Sequence, residues 1–186
     1  MTPLAATISI LVLSSAPADT ASASKLAERK AGVSGNCPDK WFDASFVDMG
    51  CLFFNNTVAV TWEEANVICH KYSNSSLVEI HSEMQMNFLK MQLDEIASAE
   101  DVSRLWWTAG TDIGFEGQWI WITSLTKVED YVWHPGHPRP NLNNSISISN
   151  CLSLRPRDYD GHDIGCENRD NPICHFQTTN AGFETE

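Results

Sequence analysis

Six cysteines constrain this chain more than any other feature: Cys37, Cys51, Cys69, Cys151, Cys166 and Cys174. An even number behind an apolar leader implies an oxidising compartment and three disulfides. Spacing alone leaves the pairing open. No two of the six stand as C-x2-C, so a cysteine-held zinc site is the poorer reading.

The leader is the run from Leu4 to Leu13, "LAATISILVL", followed by the small residues "SSAPADTASAS". It reads as a secretory signal over residues 1–18, with cleavage after Ala18 or as late as Ala23. The run is too short to span a bilayer, and no other apolar stretch does better. The expectation is therefore a secreted, extracellular protein without a membrane span. Residues 19–36 are polar and small and read as a flexible lead-in. Residues 37–176 read as one domain and 177–186 as a tail. A chain of 186 residues suits one sizeable core. Sequons at Asn55, Asn74 and Asn143 permit glycans. The net charge of −12 argues against nucleic acid, which a surface without a basic patch would repel.

Local patterns predict two helices and several short strands. Thr61 with Glu64 forms a capping box ahead of "WEEANVICH", where Trp62, Ala65 and Cys69 share a helical face. Ser82 with Gln85 opens a second helix, on which Met86, Leu89, Leu93 and Ile96 recur at core spacing. "CPDKWFDASFVDMGCLFF" reads as two short strands, and "LVEIHS", "RLWWTAGT", "QWIWIT", "CLSLRPR" and "NPICHF" as others. Trp119 and Trp121, two apart, should face the core from one side of a strand. This order predicts an α+β fold with two helices on antiparallel sheet. The irregular stretch 123–150 is the first place to look for function.

These residues, with "RPN" at 139–141 and the cysteine order, resemble the C-type lectin-like domain in its long form, as in secreted insect and crustacean members. The resemblance covers Cys37 to Phe176. It implies the C-type lectin fold and the pairs Cys37–Cys51, Cys69–Cys174 and Cys151–Cys166. It also implies a site where one calcium ion and two sugar hydroxyls share five side chains.

The pattern that the resemblance implies is Glu-Pro-Asn in the long loop, a second Glu before a cysteine, and Trp-Asn-Asp near the next. Arg139, Asn141, Ser149, His162 and Asp163 stand at these ligand positions. Only Asn141 and Asp163 keep a ligand type. The charge of the set moves from about −3 to about 0, whereas calcium affinity grows with ligand charge. No tight calcium is expected. In the auxiliary calcium region Asp112 and Glu116 match two acids and are weak metal candidates, while Leu142, Ser149 and Asn150 replace others. A third calcium position meets Gln85 and His175. No cofactor is expected.

Arg139 has three readings. It pairs with Asp163 in the ion's place, it faces outward with Arg155 and Arg157 to grip a carboxylate, sulfate or phosphate, or it is solvated surface without a role. His134, His137, His162, Asp160 and Asp163 form a further constellation of a kind that suits zinc, although loop histidines are more often polar surface. No catalytic motif stands out, so an enzyme is not expected. The resemblance implies recognition of glycans or microbial cell-surface polymers in innate defence, with little dependence on calcium. The alternative is a domain of this fold that binds a protein partner.

Overall fold

The computed structural model describes residues 37–72, 74–99, 104–140 and 149–176. The expected leader, lead-in and tail lie outside these residues, as do Asn141, Leu142 and Asn143.

Among the described residues eight short strands make one sheet: β1 (Phe42–Asp43), β2 (Cys51–Phe54), β3 (Ser75–Leu77), β4 (Trp106–Thr111), β5 (Ile120–Trp121), β6 (Cys151–Leu154), β7 (Gly161–Ile164) and β8 (Asn171–Phe176). Their order is β1-β2-β8-β4-β6-β7, with β3 also on β8 and β5 on β4. The sheet is mixed, which corrects the antiparallel expectation. β4 runs parallel to β8, with Trp106 opposite Asn171 and Trp107 opposite Pro172. β8 is antiparallel to β2 and β3 over its last residues, and β4 pairs with its first two, Asn171 and Pro172, running the same way.

Helix α1 (Trp62–His70) begins where its cap predicts. Thr61 Oγ accepts from the Glu64 N–H at 3.3 Å, and the Glu64 carboxylate accepts from the Thr61 N–H at 3.0 Å. Such a cap is worth about 1 kcal/mol. Trp62, Ala65 and Cys69 form its buried face. Helix α2 (Glu83–Ala99) buries Met86, Leu89 and Leu93, with Ile96 packed beside them. Its cap is shared between two residues. The Gln85 N–H donates to Ser82 Oγ at 3.2 Å, but Gln85 Oε1 accepts from the His81 N–H rather than that of Ser82.

The core lies where β4 crosses the sheet. All six β4 residues are buried, as a central strand covered on both faces requires. Trp106, Trp107, Trp121, Leu152, Leu154 and Ile173 are fully buried, each contributing about 2–3 kcal/mol of hydrophobic stabilisation. Trp119 is buried too, although only Trp121 of that pair belongs to β5. Polar atoms brought in with the rings find partners: Trp62 Nε1 donates to the Thr108 carbonyl and Trp107 Nε1 to that of Val60, both at 2.8 Å. At Gly110 a Cβ would lie 2.8 Å from Leu152 Cβ, so glycine lets β6 close on β4. The stretch "LVEIHS" is strand only as far as Leu77; Val78 donates once more to Ile173, and Glu79 turns away to hold another loop.

The three disulfides pair as the resemblance implied: Cys37–Cys51, Cys69–Cys174 and Cys151–Cys166. The second ties α1 to β8. The third staples the β6–β7 hairpin, on which the site is built. Among the described residues no helix is long and apolar enough to cross a membrane.

Candidate functional site

Strand β7 is the edge of the sheet, and the segment after Val132 lies along it. Trp133 bridges Gly161 in parallel, and the His134 N–H donates to the Gly161 carbonyl at 2.9 Å. The approach demands glycine, because a Cβ at Gly161 would lie 2.8 Å from the Val132 carbonyl oxygen. A turn closed by the His137 N–H on the His134 carbonyl, at 2.9 Å, then delivers His137 and Arg139 to β7.

Asp163 is the hub of this contact and is 3% exposed. Its Oδ1 accepts from the Arg139 N–H at 3.1 Å and pairs with His137 Nδ1. Its Oδ2 accepts from Arg139 Nε at 3.2 Å. The guanidinium also donates through Nη2 to the Asp163 carbonyl at 2.9 Å and to Ser149 Oγ at 3.3 Å. Arg139 thus takes the inward reading. Arg155 and Arg157 are exposed on the β6–β7 turn.

These bonds test the residues against calcium. Three of the five positions are Arg139, Ser149 and His162, and the Asp163 oxygens that would face an ion are taken by Arg139 and His137. A guanidinium cannot ligate a cation and repels one. The described residues do not fit calcium at this site; Asn141 lies outside them.

The auxiliary region is built differently. Asp112 is buried, with Oδ2 accepting from the Gly117 N–H at 2.8 Å and Oδ1 without a hydrogen-bond partner among the described residues. Burial pushes its carboxyl pKa upward, and the charges of Glu116 and Asp163 push it further, against the Gly117 hydrogen bond. Glu116 is exposed.

At the third position Gln85 replaces an ion with hydrogen bonds. Its Nε2 donates to the carbonyls of Val47 at 3.2 Å and Asp48 at 3.3 Å. Beside it lies a cavity of about 550 Å³ lined by His70, Glu79, His81, Gln85 and His175. Glu79 is a buried carboxylate that the sequence reading missed, taking it for a strand residue. It accepts from the N–H groups of Thr123 and Ser124 at 2.9 and 3.0 Å and contacts His81 Nε2 at 3.0 Å. Its only sequence signal is an acid between Val78 and Ile80 in an otherwise apolar run.

The histidine constellation is real and larger than expected. His137 Nε2 lies 3.0 Å from His162 Nδ1. His134 stacks on His162 with ring centroids 4.8 Å apart. Burial first, then the imidazoles of His137 and His134, hold the His162 pKa down to about 4, against the pull of Asp158. Sequence reasoning missed Asp158 and Lys90 here. Asp158 Oδ2 lies 3.3 Å from His134 Nδ1, and Lys90 from α2 pairs with Asp160. Of the sequons, Asn74 is exposed, whereas Asn55 is buried with Oδ1 accepting from Thr57; Asn143 lies outside the described residues.

Comparison with known proteins agrees with this architecture. The profile of the family described as "Lectin C-type domain" matches residues 58–176. Human C-type lectin domain family 6 member A is 29% identical over 142 residues, covering 75% of this chain and 60% of that protein. Mouse lymphocyte antigen 75 is 25% identical over 124 residues, covering 67% of this chain but 6% of that protein. The chain thus spans less than two thirds of these relatives' length. Among solved structures, the C-type lectin CEL-I from Cucumaria echinata superposes with a TM-score of 0.62 at 26% identity, covering 76% of this chain and 98% of that one. With the fold, the three disulfides and the matched profile in agreement, the chain belongs to the C-type lectin domain family.

Proposed function

We propose that this chain is a secreted recognition module for glycans or microbial-surface polymers, acting in defence, and that its binding does not depend on calcium at the Arg139 position. The observation that carries the reading is the guanidinium of Arg139 lying on Asp163 and Ser149, where the family pattern calls for an ion. The family match and the lectin relatives support a carbohydrate-type ligand. The test is binding of the full chain to an array of glycans and bacterial wall polymers, with and without chelator. Unchanged hits under chelator are expected. Loss of binding on chelation with recovery on adding calcium would overturn the reading.

A second reading, a module that binds a protein, is favoured by one observation. Phe115 is 74% exposed and Ile113 56%, and with Ile122 they line a cavity of about 490 Å³ that reaches Trp62. Exposed apolar side chains gathered in one place suit a protein contact. Specific glycan hits abolished by Asn141→Ala count against this reading.

A further inference from the structure

The β7 edge holds a second arrangement, outside the Arg139–Asp163 pair. His134, Asp158 and His162 each present one ligand atom, and the three atoms lie within 4.8 Å of one another. The first comes from the segment along β7, the second from the β6–β7 turn and the third from β7 itself, so the fold brings them together from three places in the sequence. Two ligands each about 2.0 Å from a tetrahedral zinc ion lie about 3.3 Å apart. His134 Nδ1 and Asp158 Oδ2 are 3.3 Å apart, without the alignment of a hydrogen bond.

The surrounding bonds prepare these atoms. Asp163, charge-balanced by Arg139, holds His137 at Nδ1. With both rings neutral, His137 Nε2 is then the acceptor, and the His162 Nδ1–H donates to it. That places the lone pair of His162 on Nε2. This nitrogen is buried without a hydrogen-bond partner among the described residues, in a residue that is 4% exposed. A carboxylate–imidazole relay behind a ligating histidine is the usual way to fix its tautomer and direction. Asp158 is oriented as well, because its Oδ1 accepts from the Asp160 N–H at 3.0 Å and leaves Oδ2 toward His134. Asp160 is engaged by Lys90, so it acts as a neighbour rather than a ligand.

We propose that His134, Asp158 and His162 form a binding site for a borderline divalent cation, zinc being the natural occupant. Two imidazole nitrogens and one carboxylate oxygen select zinc over calcium, which takes an all-oxygen shell. The His134 and Asp158 side chains are half-exposed while His134 Nδ1 and His162 Nε2 are buried, so a water completing the four-coordinate shell would enter from the Asp158 side.

The test uses the full chain without an affinity tag, stripped with chelator and dialysed against micromolar zinc. The expected result is one zinc per chain by elemental analysis and a melting temperature raised by several degrees, with no such rise in millimolar calcium. Cobalt should give a visible absorption band of tetrahedral type. His134→Ala and Asp158→Asn alter half-exposed side chains and should keep the zinc-free melting temperature while weakening zinc binding at least ~10-fold. His162→Gln should do the same to zinc affinity. His70→Ala, exposed on α1, should leave it unchanged. Absence of retained zinc, or wild-type affinity in both His134→Ala and Asp158→Asn, would overturn the proposal. Either result is independent of whether the chain binds glycans.

Discussion

The Arg139 side chain lies along the carboxylate of Asp163, with Nε 3.2 Å from Oδ2, while the Arg139 backbone N–H reaches Oδ1 at 3.1 Å. One residue therefore supplies both a charge and a backbone bond to a buried anion. The same substitution of bonds for an ion recurs where Gln85 ties down the carbonyls of Val47 and Asp48. In both places the chain's own donors stand at positions where the resemblance implied a cation.

Removing the guanidinium should therefore cost stability. Arg139→Ala leaves Asp163, 3% exposed, with fewer donors, although Arg139 itself is largely solvated. The expected loss is about 1–2 kcal/mol, read as a fall of a few degrees in melting temperature. Arg139→Lys should recover only part of it, since an ammonium cannot reproduce the forked contact to Asp163 and Ser149. Equal stability of wild type and Arg139→Ala would show that the pair contributes nothing.

Restoring the ligand types should restore the ion. The triple change Arg139→Glu, Ser149→Glu and His162→Asn converts a set with one guanidinium into one with three carboxylates, counting Asp163. Calcium affinity follows ligand charge. Saturating calcium should then stabilise the variant by about 2–3 kcal/mol, raising its melting temperature by roughly 5–10 °C. The wild type should show no comparable shift. A variant equally indifferent to calcium would mean that the loop backbone, as well as its side chains, has departed from the ion-binding form.

The helices and most strands were legible in the sequence because they rest on local signals. The Thr61–Glu64 cap needs four residues, and the spacing from Met86 to Ile96 reads off one helix. The parallel pairing of β4 with β8 was not legible, because it joins residues more than sixty positions apart and no local pattern encodes strand direction. The partnership of Arg139 with Asp163 could be posed as one of three readings but not decided, since it depends on the path of the loop over β7. Asp158 escaped notice for the same reason: its neighbour His134 is twenty-four positions away and meets it only once Trp133 has docked on Gly161. Glu79 was hidden by its apolar neighbours, which disguised a buried loop anchor as strand.

The Cys69–Cys174 bridge closes a separation of 105 residues and links α1 to β8. In the chain-entropy account a loop of that length stabilises by about 4–5 kcal/mol. The paired change Cys69→Ala with Cys174→Ala should lower the melting temperature by about 10–15 °C under non-reducing conditions. The change Cys37→Ala with Cys51→Ala, across a separation of 14, should cost less. Equal losses from the two pairs would show that local packing, not loop closure, sets the contribution.

Acid sensitivity should trace in part to His175. It lies on β8 beside the Glu79–His81 cavity, and its Nε2 is buried without a hydrogen-bond partner among the described residues. Burial holds its pKa below the usual histidine value; Glu79 pulls the other way and His81 adds to the depression. The unfolded chain, with a histidine pKa of about 6.5, therefore takes up a proton that the folded protein refuses. Stability from this group is complete above about pH 7 and falls as pH drops below about 6.5, down to the depressed folded value. His162 acts with the same sign, whereas Asp112 and Asp170, whose carboxyls burial pushes upward, add stability as the medium is acidified. The difference between wild type and His175→Gln isolates the one group. Urea unfolding at about pH 7.5 and about pH 5 should show a smaller loss of stability on acidification for the variant, because glutamine has no proton to gain. An identical loss in both proteins would mean that His175 titrates normally in the fold, and that the acid response belongs to His162 and the carboxylates alone.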